Sequence, residues 1–340
     1  MSAELVLAAG LAVCLVIYVL GAGADFGAGV WDMLARGSEK DAQRRLIENA
    51  MGPVWEANHV WLIFATVLLF AGFPRAFATV ATGLHVPLTF FLFGVVLRGS
   101  MFTFRHYDAA RRAPAYAAVF AAASLWAPFW LGASAAMLSA PWVAESVPPP
   151  WMSAFGVTVG VLVIALFALL ACVYLAWEAS NAPAIARLFQ TRAYVTLFVV
   201  LVLLAAATAQ AVTAAPAMVQ HLAERPLSLA AIALATVSAL ALVLSLRARR
   251  FHVARLAVAG FVAMLVVGWA SQRLPWLVEP VWTIHDAAAH RVTLHVLIAT
   301  SLVGACMLVP SLWFLFRVFK GKPTEDPASE LAAHADEPGQ

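Results

Sequence analysis

Long apolar runs constrain this chain more than any other feature of its sequence. Each is bounded by proline, glycine or charged residues. A helix needs about 20 apolar residues to cross a hydrocarbon core of about 30 Å. The runs predict nine membrane-spanning helices, at 3–25, 50–73, 76–98, 113–138, 152–176, 193–215, 227–246, 252–272 and 292–316.

The composition excludes a water-soluble domain. Of the 340 residues, 63% are hydrophobic and 11% charged, and the mean hydropathy is +0.87. The runs lack the alternation of a transmembrane barrel. We therefore predict an all-α, polytopic membrane helical bundle with a single transmembrane domain over 1–320. The polar, proline-containing segment 321–340 is predicted to be a disordered cytoplasmic tail.

Lysine and arginine fall unevenly on the two sides of the predicted bundle. On one side lie 17 of the 21, and the other four are Arg75, Arg225, Arg273 and Arg291. Because cytoplasmic loops retain positive residues, the N-terminus is predicted outside and the C-terminus in the cytoplasm. The net charge of +3 then reflects the retention of basic residues in cytoplasmic loops. Membrane lipid is therefore expected as a partner, and nucleic acid is not. The first run begins with Glu4 and lacks a basic flank, which favours a retained helix over a cleaved signal peptide.

Three ionisable residues lie within the first three runs or at their ends. Counted from the outer ends, Asp25 is about 33 Å down the first run, Glu56 about 26 Å down the second and Arg98 about 35 Å down the third. Charged groups inside a membrane are costly and therefore point to function. The three are predicted to meet near the cytoplasmic boundary. They form either a proton entrance or a structural ion cluster that pins the helix ends.

The neighbours of Glu56 extend this candidate site. His59 is one helical turn away, so both side chains can face one interior groove. A proton relay, a haem ligand and a hydrogen-bonded interior histidine are all compatible with it. Trp55 and Trp61 flank Glu56 and could shape an interior cavity, and Asn58 lies between them.

No catalytic residue and no metal site is predicted in this chain. The three cysteines, Cys14, Cys172 and Cys306, are isolated in apolar runs and are interpreted as small buried hydrophobic residues. The outer segment with His285, Asp286 and His290 is interpreted as polar surface.

Several motifs resemble a known family. In chain order they are Gly23-Ala24-Asp25-Phe26-Gly27-Ala28-Gly29, Pro53-Val54-Trp55-Glu56-Ala57-Asn58-His59-Val60-Trp61, Leu69-Phe70-Ala71-Gly72-Phe73-Pro74-Arg75-Ala76-Phe77-Ala78 and Leu97-Arg98-Gly99-Ser100-Met101-Phe102-Thr103-Phe104-Arg105. Together they resemble subunit II of cytochrome bd-type quinol oxidases. The likeness extends in order over nearly the whole chain.

This resemblance implies a subunit that pairs with a larger, haem-bearing subunit I in a bacterial inner membrane. Such a complex oxidises quinol and reduces dioxygen to water. Haem b and haem d type groups are expected in the partner, and a structural quinone and a small single-helix subunit are further candidates for the complex. The resemblance assigns Glu56 and Asp25 to a cytoplasmic proton route and matches Arg98 to the family's third-helix arginine. With the helix spacing of His59 added, we predict Glu56, Asp25 and His59 as the proton route and Arg98, Trp55, Trp61 and Asn58 as structural or charge-partner residues.

The chain departs from the family pattern at four positions. Ala22 replaces the first Asp of a pair, Glu56 replaces Asp, Ala57 replaces Gly, and His59 stands where Glu or Gln is typical. These changes indicate a divergent member whose proton route is rewired around His59.

Two other classes of function remain open at this stage. One is an ion-coupled secondary transporter that uses Asp25, Glu56 and His59, although no internal repeat of the transporter type is evident. The other is a purely structural membrane subunit.

Overall fold

The computed structural model describes residues 2–107, 113–140 and 150–320. It describes their side chains except at 51–57, 105–107, 113–114, 150, 315–316 and 318–320. The helices are α1 Ala3–Met33, α2 Lys40–Gly72, α3 Pro74–Gly83, α4 His85–Tyr107, α5 Ala113–Ser139, α6 Ala154–Glu178, α7 Pro183–Ala214, α8 Pro216–Glu224, α9 Pro226–Arg247, α10 Phe251–Gln272 and α11 Arg291–Lys320. Two short strands, β1 Trp276–Val278 and β2 Trp282–Thr283, form an antiparallel hairpin, and single 3₁₀ turns lie at Pro150–Met152 and Ala179–Asn181.

The predicted helical membrane bundle is confirmed. Within the described residues, eight helices are long and apolar enough to cross a membrane, and the count reaches nine if a bent helix pair is one span. By compactness the chain divides into Met1–Ile298 and Ala299–Gln340. The orientation of the termini, the single domain over 1–320 and the disordered tail stay predictions, and the tail lies outside the described residues.

The third predicted span begins later than expected. Instead of one helix from 76, the chain turns through 118° after Gly72, forms the short helix α3 and restarts as α4 at His85. Pro74 explains the break, because proline lacks the N–H that would continue α2 and is favoured in the first turn of a helix. Arg98 therefore lies about 20 Å along α4 and not about 35 Å down a longer helix.

The ends of the first two helices also differ from the prediction. α1 continues to Met33 and α2 starts at Lys40, so a tight connection replaces the long loop expected between 25 and 50. Arg44 reaches back to Asp32 at 3.5 Å across this connection. Asp25 consequently lies about two turns inside α1 and not at its end.

Helix α6 forms the centre of the larger unit. It packs against α1, α5, α7 and α10, and 72% of its apolar stretch is buried, compared with 28% in α7 and 22% in α9. A helix that is apolar all round is suited to such a position, since it has no polar face to leave in water. The outer faces of α7 and α9 expose large apolar side chains, as lipid-facing helices do.

Glycines bring α1 into close contact with α6. A methyl group at Gly27 would collide with the carbonyl of Phe167, and one at Gly23 would collide with Leu170. This spacing of small residues four apart lets two membrane helices approach closely. The indole N–H of Trp31 then donates to the carbonyl of Ala168 at 2.9 Å. The contact fixes the rotation of α1 and so the direction in which Asp25 points.

The segment after α10 is held by a buried arginine. Arg273 donates hydrogen bonds to the carbonyls of Leu138 and Leu277. Burial lowers the pKa of Arg273 to about 10, and the charge of Glu279 acts in the opposite direction, so the guanidinium stays cationic at neutral pH. The β-hairpin that follows is thereby tied to the end of α5.

We predict that Gly27→Ala destabilises the protein by about 1–3 kcal/mol, because the added methyl has no room against the backbone of α6. Thermal unfolding of the purified protein in detergent would measure the loss. Gly10→Ala in the same helix is the matched control, since its methyl would lie 3.8 Å from Leu68. Equal melting temperatures for the two variants would contradict the close approach.

Candidate functional site

A buried ion pair joins α1 to α4. Arg98 donates from Nη1 to Oδ2 of Asp25 at 2.7 Å and from Nη2 to the main-chain carbonyl of the same residue at 2.7 Å. Each of the two residues is 1% exposed. The arginine therefore binds both the side chain and the backbone of Asp25. These hydrogen bonds fix α4 against α1 at this depth.

The rest of the guanidinium is also enclosed. Its Nε donates to Oγ of Ser124 on α5 at 3.1 Å, and that hydroxyl donates to the carbonyl of Phe120 at 2.7 Å. The rings of Phe120 and Phe26 lie 4.4 Å and 4.8 Å from the guanidinium carbon. Hydrogen bonds and cation–π contacts together stabilise the charge where water is excluded.

The carboxylate is bound less completely than the arginine. Oδ2 of Asp25 accepts from Arg98, but the buried Oδ1 has no hydrogen-bond partner among the described residues. A carboxylate with one oxygen fixed and the other open can accept a proton without moving its helix.

The ring of His59 is partly buried and close enough to interact electrostatically with both Asp25 and Arg98. The predicted meeting of Asp25 with Arg98 is observed. The functional roles assigned to these residues stay predictions.

Two residues of the predicted site lie partly outside the described structure. Trp55 and Glu56 belong to the helical backbone of α2, but their side chains are outside the described residues. The predicted approach of the Glu56 carboxylate to Asp25 stays a prediction.

Asn58 and Trp61 line the same region of α2. Asn58 is 3% exposed and lies against Gly21 of α1, where a methyl group would come within 2.8 Å of its Oδ1. Trp61 is partly buried and packs against two apolar clusters, one of them around Tyr18, Phe26 and Phe91. The structural or charge-partner role assigned to these residues stays a prediction.

Sequence reasoning missed three contributors to the site. Ser124 and Phe120 come from α5, which carries no acidic, basic or histidine residue that would have marked it. Tyr18 is buried on the face of α1 that carries Asp25, seven residues away. That heptad spacing is the signal that could have revealed it.

Comparison with known proteins then identifies the family. The sequence matches the family of cytochrome bd terminal oxidase subunit II over residues 3–319. The chain belongs to this family. The resemblance seen in the sequence motifs is thus confirmed, and the chain is a bacterial inner-membrane protein.

Curated bd oxidase subunits match over shorter segments. "Cytochrome bd ubiquinol oxidase subunit 2" of Bacillus subtilis is 36% identical over 83 residues, which cover 24% of this chain and 24% of that protein. "Cytochrome bd-I ubiquinol oxidase subunit 2" of Escherichia coli K12 is 34% identical over 94 residues, 27% of this chain and 24% of that protein. The matched segments thus span about a quarter of the length of these curated relatives.

A solved bd oxidase structure has the same fold. A chain of "The structure of bd oxidase from Geobacillus thermodenitrificans" superposes with a TM-score of 0.76 at 22% identity, covering 95% of this chain and 100% of that one. The chain therefore has a fold already observed in a bd oxidase.

For the bd subunit II chain we predict that Asp25→Asn lowers stability by about 3–5 kcal/mol, because it leaves the buried Arg98 without its counter-charge. Thermal unfolding of the purified protein would measure this loss. The double variant Asp25→Asn with Arg98→Met should recover part of it, since the unpaired charge is then gone. A double variant no more stable than Asp25→Asn alone would contradict the ion pair.

Proposed function

We propose that this chain is subunit II of a bd-type terminal oxidase that oxidises quinol and reduces dioxygen to water. In that complex it is the scaffold for a haem-bearing subunit I and lines a proton route from the cytoplasm. Membership of the bd subunit II family supports the activity. The Asp25 carboxylate, held by Arg98 on one oxygen and open on the other, is the observation that carries the proton role.

The chemistry explains why such a route is required. Reduction of dioxygen to water consumes protons, and an apolar bundle offers few groups that can carry them. Asp25 and His59 are titratable side chains of the described interior that interact electrostatically with each other. Glu56, on the same helix as His59 and one turn before it, is the proposed entry acid.

Arg98 places a fixed positive charge next to the Asp25 carboxylate. Its charge favours the ionised form of the carboxylate, and burial favours the neutral form. A proton that arrives at Oδ1 therefore binds next to a guanidinium that several hydrogen bonds hold in place. The carboxylate can accept the proton and release it again without rearranging the helices.

Membership of the bd subunit II family implies haem, and we assign haem b and haem d type groups to the partner subunit. Among the described histidines, His85, His252, His285, His290 and His295 are exposed, His221 is partly buried in the last turn of α8, and the partly buried His59 interacts electrostatically with the Asp25–Arg98 pair. Quinol is then the substrate of the complex as a whole, and a structural quinone, a small single-helix subunit and bound lipid are its further candidate components.

The transporter alternative has no comparable support. The family match and the structural match both lead to bd oxidases, and none of the relatives above is a transporter. The acids and His59 also concentrate at α1 and α2, whereas transporters of the repeat type place broken helices in both halves.

The proposed activity predicts that gentle purification through this chain yields a complex with haem absorption bands and quinol-dependent oxygen uptake. The spectrum tests for the haem-bearing partner, and the oxygen electrode tests for the reaction. Purified complex that contains no haem and consumes no oxygen with a range of quinols would contradict the assignment.

The proton role predicts that Glu56→Gln slows oxygen uptake about tenfold or more, because a general acid–base group has been lost from the route. Haem content and subunit composition should not change. Glu56→Asp is the control, since it keeps the carboxylate, and its turnover should fall only mildly. Unchanged turnover in Glu56→Gln would favour the purely structural role.

A further inference from the structure

The turn between α9 and α10 concentrates positive charge. Arg247 ends α9 and Phe251 begins α10, and the connection between them contains Arg249 and Arg250. All three arginines are exposed. Within the described part of the chain, their guanidinium groups make no hydrogen bond, ion pair or cation–π contact. They are therefore available to a ligand from outside the chain.

The backbone of this turn is fixed by a Schellman motif. The N–H of Arg249 donates to the carbonyl of Leu246 at 3.1 Å, and the N–H of Arg250 donates to the carbonyl of Ser245 at 2.9 Å. The Leu246 carbonyl also accepts from the side-chain amide of Gln190 on α7 at 2.7 Å. The arginines are thus carried by anchored helix ends and not by a loose loop.

Arg249 occupies the position at which such a motif ordinarily has glycine. Its φ is 55°, in the left-handed region where a Cβ atom crowds the following carbonyl. Among the described residues, it is the single non-glycine residue with a positive φ. The side chain is present in spite of this local backbone strain, which indicates a use for its charge.

The neighbouring helices supply no acid for these arginines. Residues 225–278, which include α9 and α10, contain no aspartate or glutamate, and neither does α7. On α6, Glu178 hydrogen-bonds to Tyr174. One turn into α10, Arg255 has a partner of its own, because its guanidinium carbon lies 3.9 Å from the ring centroid of Trp177. The charge of the turn is therefore not balanced by α7, α9 or α10.

Exposed apolar side chains lie beside the same turn. Leu240 and Leu244, one turn apart on α9, are 59% and 54% exposed, and Leu256 on α10 is 68% exposed. The ends of membrane helices lie at the level of the lipid headgroups, and their apolar stretches lie among the acyl chains. Charge and apolar surface are thus arranged as they are in a phospholipid, with the charge at the helix ends and the hydrocarbon beside the helices.

The combination of features selects a lipid over other anions. Retention of basic residues in cytoplasmic loops also places arginines at helix ends, but it requires only a count of charges and no anchored turn. Free phosphate or a soluble acidic protein would complement the arginines and leave the leucines without a partner. A phospholipid with an anionic headgroup complements both.

We infer that the α9–α10 turn binds an anionic phospholipid, with Arg247, Arg249 and Arg250 on the headgroup and Leu244 and Leu256 on the acyl chains. Guanidinium groups suit this ligand because their fork of N–H donors matches the oxygens of a phosphate. Basic clusters next to a membrane helix are typical of surfaces that bind anionic lipid. The inference rests on the membrane location of the chain and not on the oxidase activity.

The test measures lipid binding to the intact purified complex after its native lipid has been removed. Dioleoylphosphatidylglycerol is the anionic probe and dioleoylphosphatidylcholine the zwitterionic one, and native mass spectrometry counts the molecules that stay bound. We expect the triple variant R247Q/R249Q/R250Q to bind phosphatidylglycerol about tenfold more weakly than the parent, because three charges have been removed from one site. Its binding of phosphatidylcholine should equal that of the parent.

Three further variants separate the headgroup contact from total charge and from folding. R247K/R249K/R250K keeps the charge that sets orientation but loses the bidentate contact, so its affinity for phosphatidylglycerol should be intermediate. Arg249→Gly suits the left-handed backbone, so its melting temperature should not fall although its affinity for phosphatidylglycerol does. Arg36→Gln is the matched control, since Arg36 is exposed in the α1–α2 connection close to the acidic Glu39, and it should bind as the parent does.

Cryo-electron microscopy of the parent complex in phosphatidylglycerol nanodiscs should show headgroup density in contact with Arg249 and Arg250. Equal affinity of the parent and R247Q/R249Q/R250Q for phosphatidylglycerol would overturn the inference. Equal retention of the two lipids by the parent would also overturn it, because the turn would then not distinguish headgroup charge. Displacement of bound phosphatidylglycerol by inorganic phosphate at the same concentration would do so as well, since the leucines would then contribute nothing to binding.

Discussion

The rest of the site depends on the ion pair between Asp25 and Arg98. It joins α1 to α4 in a part of the chain where an unpaired charge would be strongly destabilising, and it reaches the backbone of α1 as well as its side chain. Ser124 and two phenylalanine rings complete the surroundings of the guanidinium. Because the cation is fully engaged and the carboxylate is not, a group that stabilises the fold is also a group that can take up a proton.

The two faces of α1 serve different purposes. On the side toward α6, Gly23 and Gly27 remove side chains so that the helices pack closely and leave no space. On another side, the buried Tyr18 hydroxyl and Oδ1 of Asp25 make no hydrogen bond within the described residues. The close packing against α6 fixes the rotation of the helix, and with it the direction in which Asp25 meets Arg98 of α4. Stability and the proposed proton role therefore depend on different sides of one helix.

The sequence was sufficient to predict the class of fold and the meeting of Asp25 with Arg98, and the approach of Glu56 to them stays a prediction. The length of an apolar run predicts a membrane helix directly. A charged residue inside such a run is expected to face the interior of the bundle and to pair with an opposite charge. The break before α4 was not foreseen, because Pro74 is equally compatible with a loop and with the first turn of a short helix. Depth counting therefore placed Arg98 too far along its helix, although its pairing with Asp25 was right. Ser124 and Phe120 were missed because ordinary core residues become ligands only through the packing of α5.

Time-resolved proton uptake during a single turnover with dioxygen, measured with a pH dye in vesicles that hold the intact oxidase, tests the central claim most directly. In preparations of Asp25→Asn that retain the parent haem content despite the lower stability, electron delivery to the haems should be unchanged but proton uptake should slow by about tenfold or more. Proton uptake at the parent rate in that variant, from the same side of the membrane, would contradict a proton role for the buried carboxylate and leave the ion pair as a purely structural link.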